Sequence, residues 1–528
     1  MVCSLCHLII KTTSLSVLSY NMNKIETRET MDFTSLLDYS LQCELKILDT
    51  LYQNSGWITL SDLEFQTNYN KKTINKHLKL LSEKEELLET GKLLIKKGAG
   101  VKLCLTEFEY KLLLNSVLKS CVPFTLIKLL TEHGSVSLNK IKAETFLSES
   151  SIQRQMTKLK KHLHKYGLTL IYSKGQYLFS GEEHTLRYYL YSIYWSVYRG
   201  ITWPFSSQLF DKISSDVEVM TQSLSKSLAT STCSQLSLIL AINFFRYKSG
   251  NSVVLKTEWA LLKKINTTYF APFKMVRALL VRSYRLSVTE AHFFVFYLLT
   301  NADFYSQNMG ILIMKGHEEL ATEIASSVTA VYHHLEPLVR ASCSKRKKAR
   351  IKETLFSVHY HATLFPQFSC DITNYDLNLY IKDNIPSLYQ KGQKIYEQAK
   401  KEAASPIFDA KNYLVTHYSI ICAYLTYETY FEEPFVLFLD TDFPALVNEL
   451  IKESLKNHIK RYFNIVFADS FSDPIDILLT VPLKDRSTYN ELTIPKVFIS
   501  PQIKHSELKQ IYLKISELNE LRKQEYKS

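Results

Sequence analysis

The spacing of hydrophobic residues in Ser148–Tyr166 predicts an amphipathic helix. Its apolar residues recur at helical intervals and share one side of the helix; they are Ile152, Met156, Leu159 and Leu163. Ser148 precedes them as a favourable N-cap residue. The opposite side carries hydroxyl, amide and cationic groups, which contact phosphates and base edges in a DNA major groove. Those side chains belong to Ser150, Ser151, Gln153, Arg154, Gln155, Lys158 and Lys161.

A second helix-sized segment, Val136–Phe146, precedes this helix and is joined to it by the short link Leu147–Ser148. Two helices connected so tightly, with the second one basic and rich in amides, are typical of a helix-turn-helix. A surface helix that only stabilises its own domain can have the same composition. This segment alone therefore leaves both interpretations open.

The same layout occurs earlier in the chain, where Ile58–Thr67 is followed by Asn70–Leu81. Asn70 is the expected N-cap of the second helix. Its apolar side consists of Ile74, Leu78 and Leu81. Its polar side is again cationic and rich in hydrogen-bond donors, and consists of Lys71, Lys72, Thr73, Asn75, Lys76 and Lys79.

Each pair of helices is followed by a short alternating segment with a glycine turn. These segments are Leu93–Leu105 and Leu168–Phe179. A hairpin placed behind a recognition helix is the wing of a winged helix. Two copies of helix, helix and hairpin arise by chance far less often than one, so the sequence favours two DNA-binding domains.

Other regions have different patterns. Leucines at helical spacing in residues 32–53 predict a leading helix, and 107–133 predicts a helical region broken at Pro123. Residues 182–400 are predicted to be helical with an aromatic core. The basic cluster Lys345–Arg350 is expected to be a solvated loop rather than a second nucleic-acid site.

From Lys411 onward, short apolar strands alternate with helices, which predicts a small parallel α/β domain. The expected strands are Phe435–Leu439, Asn464–Ala468, Asp476–Thr480 and Lys496–Ser500.

Composition adds charge and compartment to this picture. The chain has 528 residues and a net charge of +12, which suits a polyanionic partner. Its nine cysteines show no pairing pattern, as expected in a reducing cytosol. No apolar run approaches the ~20 residues needed to span a bilayer, so we predict a cytoplasmic protein without membrane association.

The first residues look unlike the rest of the chain. Cys3, Cys6 and His7 match the attachment motif of a c-type haem, but nothing else in the sequence supports a haem. We expect residues 1–31 to be a disordered or over-extended leader, with Met22 and Met31 as alternative starts.

The order of these segments resembles the RofA-like and Mga family of transcriptional regulators of Gram-positive bacteria. Ser148–Arg154 resembles the family's second recognition helix, and Tyr172–Tyr177 resembles its wing. Gly181–Glu183 then leads into Arg187 and Tyr188, as it does in that family. The resemblance covers almost everything after residue 32 and is most specific at the second helix-turn-helix.

The low content of Gly and Pro, 13 of each, favours a mainly α protein. The resemblance implies a DNA-binding regulator that acts near promoters, and we expect it to be an activator. The resemblance also implies winged helix-turn-helix domains at 32–106 and 107–182, helical modules similar to phosphotransferase-system regulation domains (PRD) at 183–288 and 289–405, and an enzyme IIB-like α/β domain at 411–528. The implied partners are double-stranded promoter DNA, a second copy of the chain bound through the C-terminal domain in a homodimer or higher oligomer, phosphotransfer proteins and RNA polymerase. Carbohydrate status and virulence genes are the implied regulatory context.

PRD modules are switched by phosphorylation of histidine, whose added charge rearranges a helical interface. No histidine lies between His184 and His292, so the first module is not expected to be modified. His292 and His317, each next to an acidic residue, are the candidate sites in the second module, although a structural role for each stays open. The loop Asp440–Pro444 has neither the cysteine nor the glycine of an active enzyme IIB.

We therefore predict no enzymatic activity, no cofactor and no metal site. Two alternatives stay open. One is a phosphotransferase-system component whose winged regions are ancillary, and the other is a winged-helix scaffold that binds protein rather than DNA. Salt dependence distinguishes the scaffold from a DNA-binding protein, since DNA binding weakens steeply with ionic strength.

Overall fold

The structure is a computed structural model, and the part of the chain that it describes is mainly helical, as predicted. The described residues are 33–525, apart from 55, 85–91, 225–227, 269–271, 306, 343, 374–376, 472–473 and 482–493. The expected leader, with Cys3, Cys6, His7, Met22 and Met31, lies outside them.

The first winged region begins with a 3-10 turn, Phe33–Leu36, and the leading helix α1, Tyr39–Gln53. Two further helices and an antiparallel hairpin follow, which are α2 (Leu60–Thr67), α3 (Lys71–Ser82), β1 (Leu93–Lys96) and β2 (Gly100–Leu103). Their apolar sides meet in one core that includes Ile47, Leu63, Ile74, Leu78 and Val101. The apolar stripe read from the sequence is therefore the buried side of α3.

Ile58 lies outside helix α2, although the sequence pattern placed it inside. Its backbone pairs with Val101 of β2. Gly100 makes this pairing possible, because a Cβ at that position would lie 2.0 Å from the Ile58 carbonyl oxygen. The hairpin is thus fixed to the segment that enters the helix-turn-helix.

The second winged region has the same order with one more strand. Its elements are α4 (Glu107–Lys119), α5 (Val122–His133), β3 (Ser135–Ser137), α6 (Leu138–Thr145), α7 (Glu149–His164), β4 (Thr169–Ser173) and β5 (Gln176–Ser180). The strands form an antiparallel sheet in the order β3-β5-β4. Val136 therefore belongs to a strand, and the predicted helix Val136–Phe146 is shorter than expected.

Helices α4 and α5 correspond to the helical region that was predicted to break at Pro123. Pro123 is in the first turn of α5, where its missing N–H removes no hydrogen bond. The two helices are bent by 78° relative to each other. Among the described residues no single helix is long and apolar enough to cross a membrane, and only this bent pair reaches that length and composition together.

A helical region follows the second wing. Its helices are α8 (Glu183–Tyr198), α9 (Ser207–Ser223), α10 (Thr230–Lys248), α11 (Ala260–Thr268), α12 (Pro272–Tyr284), α13 (Val288–Leu299), α14 (Gln307–Glu319), α15 (Glu323–Ser342) and α16 (Lys345–Leu364). The aromatic residues of α8 and α13 are buried, as predicted. The basic cluster Lys345–Arg350 was expected to be a loop, and this prediction is wrong. It forms the first turns of α16, with Ser344 accepting a hydrogen bond from the Lys347 amide.

A buried ion network connects three of these helices. Arg187 of α8 is completely buried and donates to the carboxylates of Glu183 and Glu290. Arg246 of α10 is also buried, and its guanidinium donates to Glu183 at 2.8 and 3.0 Å. Each guanidinium therefore has a carboxylate partner in a region that excludes water.

The chain divides into two compact units, one up to residue 326 together with 353–377, the other comprising 327–352 and 378 onward. The second unit contains α17 (Leu377–Asn384, from Asn378 on), α18 (Pro386–Ala403) and α19 (Lys411–Leu425). Gly392 of α18 lets α19 approach closely, because a Cβ there would lie 2.1 Å from the Ser419 hydroxyl. The proposed boundaries of the six sequence domains stay a prediction.

The end of the second unit has the strand and helix alternation that the sequence predicted. It contains β6 (Phe435–Asp440), α20 (Ala445–Ile459), β7 (Ile465–Phe467), β8 (Ile477–Thr480), β9 (Lys496–Phe498) and α21 (His505–Glu525). The strands form a parallel sheet in the order β7-β6-β8-β9. Arg522 of α21 donates to both oxygens of Asp476, at 2.9 and 3.0 Å, and so attaches the closing helix to the sheet.

Candidate nucleic-acid interface

The two helix-turn-helix segments have the same backbone design. In each, an eight-residue helix ends at a residue in the left-handed conformation, Asn68 with φ 59° or Phe146 with φ 54°. After a single intervening residue the chain reaches the N-cap of the recognition helix, Asn70 or Ser148. Because the turn is the same length in both copies, α3 and α7 leave their preceding helices in equivalent ways.

Side-chain caps fix the start of each helix. Asn70 Oδ1 accepts from the Thr73 amide at 2.9 Å, and Ser148 Oγ accepts from the Ser151 amide at 3.4 Å. Thr59 and Ser137 cap α2 and α6 in the same manner. Both predicted N-caps of the recognition helices are confirmed.

One ion pair in each copy joins the first helix to the start of the second, and its polarity is reversed between the copies. In the first copy Glu64 of α2 pairs with Lys71 of α3, with 3.9 Å between Oε2 and Nζ. In the second copy Lys142 of α6 pairs with Glu149 of α7 at 2.8 Å. The first recognition helix therefore begins with a cation, and the second begins with an anion.

The outer side of α3 is a continuous cationic surface. Ile74, Leu78 and Leu81 are buried, while the polar residues predicted to face DNA are on the outside. Lys71, Lys72, Asn75, Lys76 and Lys79 are exposed, and Thr73 is half-buried. The structure thus places all six predicted residues of this helix on one accessible side.

The outer side of α7 is narrower. Ser150, Gln153, Arg154 and Lys161 are exposed, and Ser151 is half-buried. Gln153 also donates from Nε2 to the Tyr177 hydroxyl of β5 at 2.5 Å. This contact holds the Gln153 amide at the base of the wing, next to Arg154 on the helix.

Two predicted DNA contacts on α7 have partners within the chain. Lys158 donates from Nζ to the Leu37 carbonyl at 2.7 Å, and Gln155 donates from Nε2 to Asp38 Oδ1 at 3.0 Å. Both side chains are half-buried. The segment between the 3-10 turn and α1 lies against this part of α7, where Ser35 also contacts His162. We therefore remove Gln155 and Lys158 from the candidate DNA-binding surface.

The wings carry cations that the sequence analysis did not select. Lys96 and Lys97 are exposed at the turn between β1 and β2, and Lys102 is half-buried on β2. Lys174 and Gly175 form the two-residue turn between β4 and β5, and both have positive φ, as a type I′ hairpin requires. A lysine beside a glycine turn, in the hairpin that follows a recognition helix, is the sequence pattern that could have identified these wing cations.

The candidate phosphorylation sites are core residues. His317 is fully buried, and its ring nitrogens lie 2.8 Å from the Thr322 and Tyr360 hydroxyls. Burial lowers its pKa to about 3. His292 is also buried, which lowers its pKa to about 4, with Arg277 and Lys263 adding to the effect. Their modification stays a prediction, and their burial argues against it.

The acidic neighbour of His292 is engaged elsewhere in the core. Glu290 lies two residues before His292, and its carboxylate accepts hydrogen bonds from Arg187 and from the Val253 amide. A phosphoryl donor would therefore have to open the packed helices before it reached either imidazole.

The loop after the first strand of the α/β region makes its own hydrogen bonds. Thr441 Oγ1 donates to Asn448 at 2.6 Å and accepts from the Phe443 amide at 3.3 Å. Asn448 in turn donates to the Phe443 carbonyl. The loop is thus held by Thr441 and by Asn448 of α20, and Asp440 and Asp442 add negative charge where a phosphate would bind.

Comparison with known proteins bears on the second copy most directly. Residues 106–194 match the Mga helix-turn-helix domain. This range begins just before α4 and ends within α8, so it contains the whole Mga-like helix-turn-helix of the second copy and its wing. The first copy lies outside the matched range.

A curated relative supports the same assignment. The chain is 24% identical over 235 residues to the capsule synthesis positive regulator AcpA of Bacillus anthracis. The alignment covers 44% of this chain and 48% of the relative, so it spans about half of each protein. Both findings support a likeness of this chain to the Mga-like regulators. That family and this relative are transcriptional regulators and not enzymes.

Proposed function

We propose that the chain is a transcriptional regulator that binds duplex promoter DNA through both helix-turn-helix copies. The observation that carries this proposal is the pair of capped recognition helices, each apolar inside and cationic outside, with a wing behind it. The Mga-like helix-turn-helix match of the second copy supports it.

The two copies are proposed to contribute differently to binding. The lysines of α3 and of the first wing supply sequence-independent attraction to phosphates, which releases counterions. Arg154 of α7 is the side chain best suited to read base edges, because a guanidinium forms bidentate contacts in the major groove. Gln153 is exposed beside it, with its Nε2 already donating to the Tyr177 hydroxyl. Asn75 offers the same amide chemistry on α3.

The finer assignments rest on the family resemblance and on the relative. The relative is named a positive regulator, and this favours activation as the mode of action. We also propose PRD-like control through the helical region, an enzyme IIB-like role for the parallel sheet in self-association, and contact with RNA polymerase and phosphotransfer proteins. Carbohydrate status and virulence genes are the proposed regulatory context.

The test is DNA binding by purified full-length chain to fragments selected from genomic DNA. The variant Arg154→Ala with Lys161→Ala should weaken binding at least about tenfold in fluorescence anisotropy. Lys263→Ala with Lys264→Ala removes the same number of positive charges from exposed positions of α11 and should bind as the parent does. Equal affinities of both double variants would refute the assignment of α7.

A salt titration tests the alternative of a protein-binding scaffold. A regulator that neutralises phosphates should lose affinity linearly in log Kd against log salt. Failure to retain any genomic fragment above background, together with an intact circular dichroism spectrum, would count against DNA as the partner.

A further inference from the structure

Two neighbouring histidines of α15 and a glutamate of α18 lie together within the second unit. His333 Nδ1 is 3.4 Å from Glu402 Oε2, and His334 Nε2 is 3.1 Å from the same oxygen. One ligand atom from each residue lies within 4.8 Å of the other two. Because adjacent residues of a helix point about 100° apart, both imidazoles reach one carboxylate only when it lies between them.

The contact of His334 with this carboxylate is close but is not a hydrogen bond. His334 Nε2 is buried and has no hydrogen-bond partner among the described residues. A polar nitrogen in this position lacks the interaction that its burial requires. An ion bound by this nitrogen and by the carboxylate oxygen would give the nitrogen the partner that it lacks.

The distances also fit such an ion. Ligand atoms about 2.0 Å from a tetrahedral Zn²⁺ lie roughly 3.3 Å from one another. The two distances from histidine nitrogen to Glu402 oxygen, 3.1 and 3.4 Å, are close to this separation without any movement.

We propose that His333, His334 and Glu402 bind a divalent transition-metal ion such as Zn²⁺, with water completing the coordination. Two imidazoles and one carboxylate form a donor set that Zn²⁺ favours, whereas Mg²⁺ and Ca²⁺ prefer oxygen ligands alone. The His333 and Glu402 side chains are 65% and 43% exposed, so an ion can enter from solvent. The ion links α15 to α18 and stabilises the second unit by mass action.

A metal ion here differs from the prediction of no metal site that the sequence led to. The paired histidines are visible in the sequence, but Glu402 follows His333 by 69 residues. Only the packing of α15 against α18 brings the third ligand to the histidines.

The test is zinc titration of the metal-free, full-length chain by isothermal calorimetry. Cys3→Ser and Cys6→Ser are introduced into every sample, because thiolates and His7 would otherwise compete for Zn²⁺. One ion per chain should bind. His334→Ala and Glu402→Gln should each weaken binding at least about tenfold, while His458→Ala, an exposed histidine of α20, should leave the Kd unchanged.

Co²⁺ provides a second readout that does not depend on affinity. Its visible spectrum should show four-coordinate or five-coordinate bands that disappear in His334→Ala. His333→Ala alters an exposed side chain, so this variant keeps the fold if His334→Ala does not. One-to-one zinc binding with the parent Kd in His333→Ala and in Glu402→Gln would overturn the proposal.

Discussion

The two helix-turn-helix copies share their turn and their caps, but they differ in what surrounds the recognition helix. The outer side of α3 is open along its length, whereas Gln155 and Lys158 of α7 are held by the segment that precedes α1. The second copy also continues into the helical region, because Arg246 lies over the Phe179 ring of its wing and bonds Glu183. Equivalent local sequences therefore acquire different roles, an open cationic surface in one copy and a supported, narrower surface in the other.

The largest expected difference between the two copies is in their stability at low pH. Burial lowers the pKa of His317 and His359 to about 3 and that of His184 to about 4. Since the unfolded histidines have a pKa of about 6.5, the unfolded chain binds more protons as the pH falls below that value. The stability that these neutral histidines contribute is therefore present above about pH 6.5. It is lost as the pH falls toward about 4 for His184 and about 3 for His317 and His359, by on the order of 2 kcal/mol at pH 5 for each of them.

All three histidines lie in or beside the helical region that supports the second copy. Hydrogen exchange at pH 5 should increase first in α8, α14 and α16 and in the wing strand β5. Exchange in α3 should be retained longer. Equal loss of protection in α3 and β5 between pH 7 and pH 5 would contradict the idea that the helical region stabilises the second copy more than the first.

Removal of Arg246 should loosen the second copy at neutral pH. Arg246→Met leaves Glu183 with Arg187 as its remaining cation and removes the stacking on Phe179. We expect a loss of about 3 kcal/mol in unfolding free energy, since breaking a buried ion pair leaves a poorly compensated charge. Urea unfolding measures the loss, and the control Lys248→Met changes a nearby cation that the structure places outside this network.

The repeated design was predictable from sequence because it is local. Ile74, Leu78, Ile152 and Leu159 recur at helical spacing, and the N-caps precede them directly. The parallel strands were found for the same reason, since each is a short apolar run between polar turns. These features depend on neighbours within a few residues, where spacing decides which side is buried.

The features that sequence analysis missed depend on distant residues. Nothing in the sequence around Lys158 shows that its ammonium group will donate a hydrogen bond to the Leu37 carbonyl. Val136 was assigned to a helix because its strand partner, Tyr177, lies beyond the recognition helix. The basic cluster Lys345–Arg350 was assigned to a loop from its charge, although Ser344 caps a helix there.

The lysines of α3 should dominate the salt dependence of DNA binding. Lys72→Ala, Lys76→Ala and Lys79→Ala together should reduce the slope of log Kd against log salt by up to about 2.7, since each lost phosphate contact accounts for about 0.9. Affinity should fall at least about tenfold for all DNA sequences alike. Arg154→Ala is the matched comparison in the second copy, and it should instead reduce discrimination between sequences. A triple variant with an unchanged slope would mean that α3 does not face the phosphates.

Two lysines one turn apart on α7 should behave in opposite ways. Lys161→Met removes an exposed cation, so DNA affinity and salt slope should fall while stability stays within about 0.5 kcal/mol of the parent. Lys158→Met removes the hydrogen bond to Leu37 and should cost about 1 kcal/mol of unfolding free energy. Its effect on the salt slope should be small. Anisotropy and urea unfolding on both variants give the comparison, and a larger slope change for Lys158→Met would return this residue to the DNA-binding surface.

The smallest effect should come from exchange of the reversed ion pairs. Lys142→Glu places two carboxylates together at the start of α7, and adding Glu149→Lys restores an attractive pair with the polarity of the first copy. A double-mutant cycle should give a coupling of about 0.2–1 kcal/mol, the usual range for an exposed pair. The recovery should be incomplete, because a cation in the first turn opposes the helix dipole. The exchanged variant should nevertheless bind DNA with a steeper salt dependence than the parent, since α7 would then begin with a cation as α3 does. If its slope equals that of the parent, the first turn of α7 lies away from the phosphates, and the two recognition helices approach DNA differently.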